Sequence, residues 1–94
     1  VELDQIIRCE SDRNYTSFYL SGGKKILVSK TLKEYETLLT GYNFLRVQQS
    51  HLINLDYVER YDKGNGGSVV MKDGSEVPLS QAKRDLFFKI LENL

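Results

Sequence analysis

The chain is cut into short apolar stretches by turns that carry glycine: Ser21-Gly22-Gly23, Gly41, Gly64-Asn65-Gly66-Gly67 and Lys72-Asp73-Gly74-Ser75. That pattern suits paired strands and argues against a helical bundle, because an amphipathic helix needs apolar positions spaced by three and four over a longer window. A chain of 94 residues has material for one hydrophobic core, so residues 1–94 are read as one domain, mainly β.

The first strand is expected over Gln5 to Cys9, followed by a polar loop from Glu10 to Asn14. Tyr15 to Leu20 and Lys24 to Ser29 flank the Gly22-Gly23 turn as a hairpin. Thr31-Leu32-Lys33-Glu34 fits a capping box, in which the Thr31 hydroxyl accepts from the Glu34 amide and the Glu34 carboxylate reaches back. A short helix therefore starts there, with Leu32, Tyr35, Leu38 and Leu39 on its apolar face and Gly41 as its stop. Phe44 to Val47 is a strand, Gln48 to His51 a loop, and Leu52-Ile53-Asn54-Leu55 supplies core positions.

Val58 to Tyr61, Ser68 to Met71 and Glu76 to Leu79 then form a three-stranded meander. Beyond Ser80, a candidate N-cap, Leu86, Phe87, Ile90, Leu91 and Leu94 recur at helical spacing, so Gln81 to Leu94 is a terminal helix.

Reactive chemistry is thin. There is one histidine and one cysteine, and the carboxylates lie scattered among basic residues, so neither a nucleophile with its base nor a metal-ligand set is expected. Cys9 sits on an apolar strand and reads as a buried structural thiol, and a single cysteine fits a reducing compartment. With no long apolar run and no leader pattern, the chain reads as a cytoplasmic non-enzyme without cofactor, metal or membrane contact.

Formal charge is zero, but its distribution is uneven. Between Arg13 and Gln48 the basic residues Arg13, Lys24, Lys25, Lys30, Lys33 and Arg46 face only Glu34 and Glu36, whereas the first twelve residues are acidic. A basic face on a neutral molecule is one reading, and an ordinary mixed surface the other.

The stretch FLRVQQSHLINLDYVERYDKGNGGSVVMKDGSEVPLS from Phe44 resembles the signature of the LytTR family of bacterial DNA-binding domains, with Phe44, Arg46, Val47, Ser50, Ile53, Asn54, Leu55 and Val58 at the matching places. Asn14-Tyr15-Thr16 and the segment Thr31 to Leu39 are similar too, so the resemblance covers essentially the whole chain. It implies several small, mostly antiparallel sheets with one short central helix and a C-terminal helix, whose loops enter successive DNA grooves.

The resemblance places DNA contacts near Arg13, Asn14 and Thr16, on Gln48, Gln49 and Ser50, and on Gln81. Lys30 joins them as a candidate DNA-binding residue, one of Lys83 and Arg84 is expected to contact phosphate, and Arg46 is read either as a phosphate contact or as one half of a structural ion pair. The family's His-Arg pair is Gln48-Gln49 here, and its Ser-Arg step is Ser80-Gln81. Glutamine can pair with adenine N7 and N6, whereas arginine prefers guanine, and the lost charges lower affinity for phosphate. A weaker, adenine-tolerant reader is expected.

The implied setting is the C-terminal effector half of a two-component response regulator, downstream of a receiver domain and dimeric on promoter direct repeats. The alternative is a non-catalytic protein-interaction or dimerisation module that has lost DNA binding.

Overall fold

The structure is a computed structural model that describes residues 2–93, with the side chain of Asn65 outside that description. Its strands form two antiparallel sheets. The larger contains β1 (Ile6–Asp12), β2 (Tyr15–Leu20), β3 (Lys25–Val28), β4 (Phe44–Gln48) and β5 (His51–Asn54), in the order β3-β2-β1-β5-β4. The smaller is the expected meander of β6 (Val58–Asp62), β7 (Ser68–Met71) and β8 (Glu76–Pro78). Two helices complete the fold, α1 (Leu32–Leu38) and α2 (Gln81–Glu92).

Two separate cores follow from the two faces of the larger sheet. On one face, α1 lays Leu32 and Leu39 over Ile6, Cys9, Phe18, Leu20 and Leu52, with Tyr35 meeting Phe18 edge to face at 4.8 Å. On the other, Ile7, Val47 and Ile53 pack with Val69, Met71 and Val77 of the smaller sheet and with Phe87 of α2. A bulge between Ile6 and Arg8 lets Ile6 and Cys9, three residues apart, face the same core. Fully burying a side chain such as Phe87 contributes roughly 1.5–3 kcal/mol, and this residue locks α2 to both sheets.

Asn54 is the buried polar residue that joins the ends of the chain's first half. Its side-chain amide donates to the Ile6 carbonyl at 2.9 Å and its oxygen accepts from the Asp56 N–H at 3.0 Å. Both ends are satisfied, which is what makes burial of a polar group tolerable.

Several expectations need correction. β1 starts at Ile6 and does not stop at Cys9: Glu10, Ser11 and Asp12 pair with Ser17, Thr16 and Tyr15, which leaves Arg13-Asn14 as a tight turn in place of the longer polar loop. Strand pairing satisfies the backbone of these polar residues, so their side chains need not be apolar to extend the strand. The expected Gln48–His51 loop shrinks in the same way to the Gln49-Ser50 turn, because Gln48 and His51 are cross-strand partners.

In α1 the forward half of the capping box forms, Glu34 N–H to Thr31 Oγ1 at 3.3 Å, but the reciprocal carboxylate bond is absent among the described residues. Gly41 takes φ 87° after the helix, the left-handed conformation a stop requires. On α2, Leu86 faces solvent and Phe88 replaces it on the packed face, meeting Tyr61 edge to face at 4.9 Å. Leu94 lies outside the described residues.

Candidate nucleic-acid interface

Segments far apart in sequence meet at one end of the larger sheet. The β1–β2 turn holds Arg13 and Asn14, and the neighbouring β4–β5 turn is tied to it by a bond from Ser11 N–H to the Ser50 carbonyl at 2.9 Å. Thr16 Oγ1 donates to the Lys30 carbonyl at 2.8 Å and so draws the segment after β3 to the same end. The start of α2 arrives through Ser80 N–H, which donates to the Val47 carbonyl at 2.8 Å. Four segments thus present Arg13, Asn14, Lys30, Gln49 and Gln81, all exposed, together with the half-exposed Lys83.

Arg13 adopts φ 59°, an uncommon conformation for a residue with a Cβ, and the tight turn it makes leaves its guanidinium free of any ion pair among the described residues. At the β4–β5 turn the two glutamines divide the work. Gln48 Oε1 accepts the Ser50 N–H at 2.8 Å and closes the turn, while Gln49 is exposed and its side-chain amide has no partner among the described residues. Ser50 is half-buried and acts through its backbone.

Thr16 departs from the expected role. It is fully buried and its hydroxyl is spent on Lys30, so it positions a basic segment instead of touching a ligand. Arg46 resolves to the structural alternative: its guanidinium pairs with Glu36 Oε1 of α1 at 3.0 Å and also donates to the Gln49 carbonyl, bracing the turn from below. Arg84 is likewise committed, since Nη2 donates to the Gly66 carbonyl at 3.0 Å.

At the start of α2, Ser80 occupies the N-cap position without a side-chain capping bond. Lys83 N–H donates to the Ser80 carbonyl at 3.1 Å, so the Gln81 and Ala82 N–H groups are the first-turn donors without a partner among the described residues, and the helix dipole favours an anion there. Lys83 adds a mobile ammonium in the same turn.

Under the Gln49-Ser50 turn lies a small polar cluster. Arg8 pairs with Glu10 at 2.9 Å and stacks on Tyr19 at 3.8 Å from the ring centre, and His51 Nδ1 sits 3.8 Å from Glu10. Burial lowers the His51 pKa, Glu10 pushes the other way, and Arg8 adds to the lowering, so the ring is neutral near pH 7. Cys9 is fully buried and its thiol is pushed up to about 12, chiefly by burial, which removes it as a nucleophile. Among the described residues no three His, Cys, Asp or Glu side chains gather as a metal site. No helix among them is long and apolar enough to cross a membrane.

One side chain at this end was not singled out by sequence. Lys63, beside the glycine turn that follows β6, lines a cleft with Gln81 and Arg84. Its only sequence signal was a lysine in a glycine-rich turn, which is ordinary turn composition.

The model of the LytTr DNA-binding domain family matches residues 1–92. The chain belongs to that family, whose members bind DNA and are not defined by catalysis. A curated relative, the heme-containing CO-sensing transcriptional regulator RcoM 2 of Paraburkholderia xenovorans (strain LB400), is 29% identical over 86 residues, covering 88% of this chain and 32% of the relative. The chain thus spans about a third of that relative's length. A solved structure described as the LytTr DNA-binding domain of a methyl-accepting/DNA response regulator from Bacillus cereus superposes with a TM-score of 0.84. It is 22% identical, with 97% of this chain and 84% of that chain covered. The shared fold is that of two antiparallel sheets with two helices.

Proposed function

We propose that this domain is the sequence-specific DNA-reading effector of a two-component response regulator, acting on promoter direct repeats as a dimer. The observation that carries the reading is the convergence of the Arg13-Asn14 turn, Lys30, the Gln49-Ser50 turn and the first turn of α2 at one end of the larger sheet. Gln49 offers a base-reading amide, with Gln81 as a second, and Arg13, Lys30 and Lys83 supply phosphate contacts around them. Phosphorylation of a receiver domain upstream would pair two such modules and raise occupancy through effective concentration.

A single small module buries only about 600–1,000 Å² on DNA, so one copy should bind a half-site weakly and two tethered copies should gain strongly on a direct repeat. The test selects sequences from a random duplex pool with the tethered pair, then compares one copy and two on the selected site. If tethering leaves affinity unchanged, the two-site reading fails.

A second reading has its own observation. Leu3, Phe18, Tyr35, Leu38 and Tyr42 line an apolar groove near the α1 side, close to the end of β1 opposite the reading turns, and Leu38 and Tyr42 are more than half exposed. A protein-docking module would use it. Its binding would resist added salt, whereas contact with phosphates weakens steeply.

A further inference from the structure

The glycine turn after β6 reaches the same end of the molecule by its own route. Leu79 N–H donates to the Gly67 carbonyl at 3.4 Å, and the next residue, Ser80, is the one bonded to Val47. Between this turn and the first turns of α2 opens a cleft of about 470 Å³ lined by Tyr61, Lys63, Gly66, Gln81, Arg84 and Phe88. It shares Gln81 with the reading surface and adds two cationic side chains to it.

The turn is held firmly against the helix. Arg84 Nη2 donates to the Gly66 carbonyl at 3.0 Å, while its Nε is buried without a partner among the described residues. Gly67, at φ 98°, presses so closely that a Cβ there would come within 2.5 Å of the Tyr61 hydroxyl and 3.2 Å of Arg84 Nη2. Asp62, the nearest carboxylate in sequence, accepts the Gly64 N–H at 2.8 Å and is thereby turned onto the turn's own backbone. Lys63 is exposed and makes no ion pair among the described residues. A cation free of a carboxylate among the described residues, lining a cleft beside Arg84 and the Gln81 end of α2, is arranged for an anion.

We infer that this cleft receives a DNA phosphodiester, with Lys63 as the contact and Arg84 as the positioning residue that fixes the turn carrying it. The inference rests on the DNA-reading role and extends the footprint from the larger sheet to the smaller one. Lys63 meets a phosphate oxygen without reading a base, so its contribution is the same for every sequence.

The test measures binding of the whole chain to its selected duplex and to a scrambled duplex over a range of salt. Lys63→Ala should weaken both alike and flatten the log–log salt slope by about 0.9, the value for one phosphate on duplex DNA. Lys72→Ala, in the turn at the opposite end of β7, should leave the slope at the wild-type value. Arg84→Ala should flatten the slope by the same amount, Arg84→Lys should restore most of it by keeping a donor for Gly66, and Lys63→Ala with Arg84→Ala should lose no more than either alone.

If the wild-type chain binds DNA with a measurable salt slope and Lys63→Ala matches Lys72→Ala, the inference is overturned while DNA reading stands. A double variant that loses two phosphates overturns the positioning role of Arg84. If instead no salt-dependent binding exists in the wild type, DNA reading itself fails. A parallel titration with inorganic phosphate, followed at the Gly66 and Gly67 amides, separates the sources. Saturation by free phosphate together with an unchanged DNA slope in Lys63→Ala would assign the cleft to a small anion and overturn the inference.

Discussion

Ser80 donates its backbone N–H to the Val47 carbonyl at 2.8 Å, and this bond sets the first turn of α2 beside the strand that leads into the Gln49-Ser50 turn. Two parts of the proposed reading surface that lie more than thirty residues apart are thereby held in one register, with Phe87 in the core that α2 shares with both sheets. The bond involves only backbone, so side-chain variants on either segment can be compared without breaking it.

Gln49 is the first such variant. Because Gln48 closes the turn and Gln49 does not, Gln49→Ala should remove a base contact without disturbing the fold, costing about 1 to 3 kcal/mol on the selected site and relaxing preference at one or two base pairs. Gln49→Arg should shift preference toward guanine and raise overall affinity. The measurement is the ratio of specific to scrambled affinity, and an unchanged ratio in Gln49→Ala removes Gln49 from the reading role.

Lys83 should behave differently. Its ammonium stands in the uncapped first turn of α2, so Lys83→Ala should weaken all duplexes alike and flatten the salt slope by about one. A change in sequence preference would instead make it a base reader.

Thr16 tests the distinction between contact and placement. Thr16→Val keeps the shape of a buried side chain and deletes the bond to the Lys30 carbonyl, so stability should fall by about 1 kcal/mol. DNA affinity should fall with it for every sequence, because Lys30 loses its anchor. Urea unfolding reads the first effect and the scrambled duplex the second. Unchanged stability would show that the bond contributes nothing.

His51 predicts a dependence on pH. Its folded-state pKa lies below the ordinary 6.5, so the stability it contributes is fully present above 6.5 and is lost as pH falls through the lowered value. His51→Phe should remove that loss. Asp73 acts in a separate window: burial pushes its carboxyl up, but the Ser75 hydroxyl and N–H outweigh this and hold it below 3.8, so its contribution disappears only in stronger acid. Denaturation midpoints between pH 7.5 and 5 decide the matter, and a His51→Phe variant that keeps the wild-type slope contradicts it.

Alternation, turn residues and helical spacing were enough to read the mainly β class, the β2–β3 hairpin, the three-stranded meander, both helices and the turn at Gly41, because these depend on local backbone geometry and on one buried face per element. The family was legible from residue spacing in three blocks. Strand ends were not: β1 runs through Glu10-Ser11-Asp12 because β2 and, for Glu10, β5 supply partners for its backbone, and no local pattern announces a partner. The roles of long side chains were decided in the same way. Thr16, Arg46 and Arg84 carry the residue types of a DNA surface, yet a carbonyl at Lys30, a carboxylate at Glu36 and a carbonyl at Gly66 claim their polar groups. Lys63, ordinary in sequence, is brought beside Gln81 and Arg84 by the packing of α2 against the turn after β6. Sequence by itself determined which backbone shapes and which apolar faces were available. Only the tertiary structure determined which polar atoms find partners, since that depends on groups meeting across tens of residues, and the proposed DNA contacts are drawn from the ones left without partners.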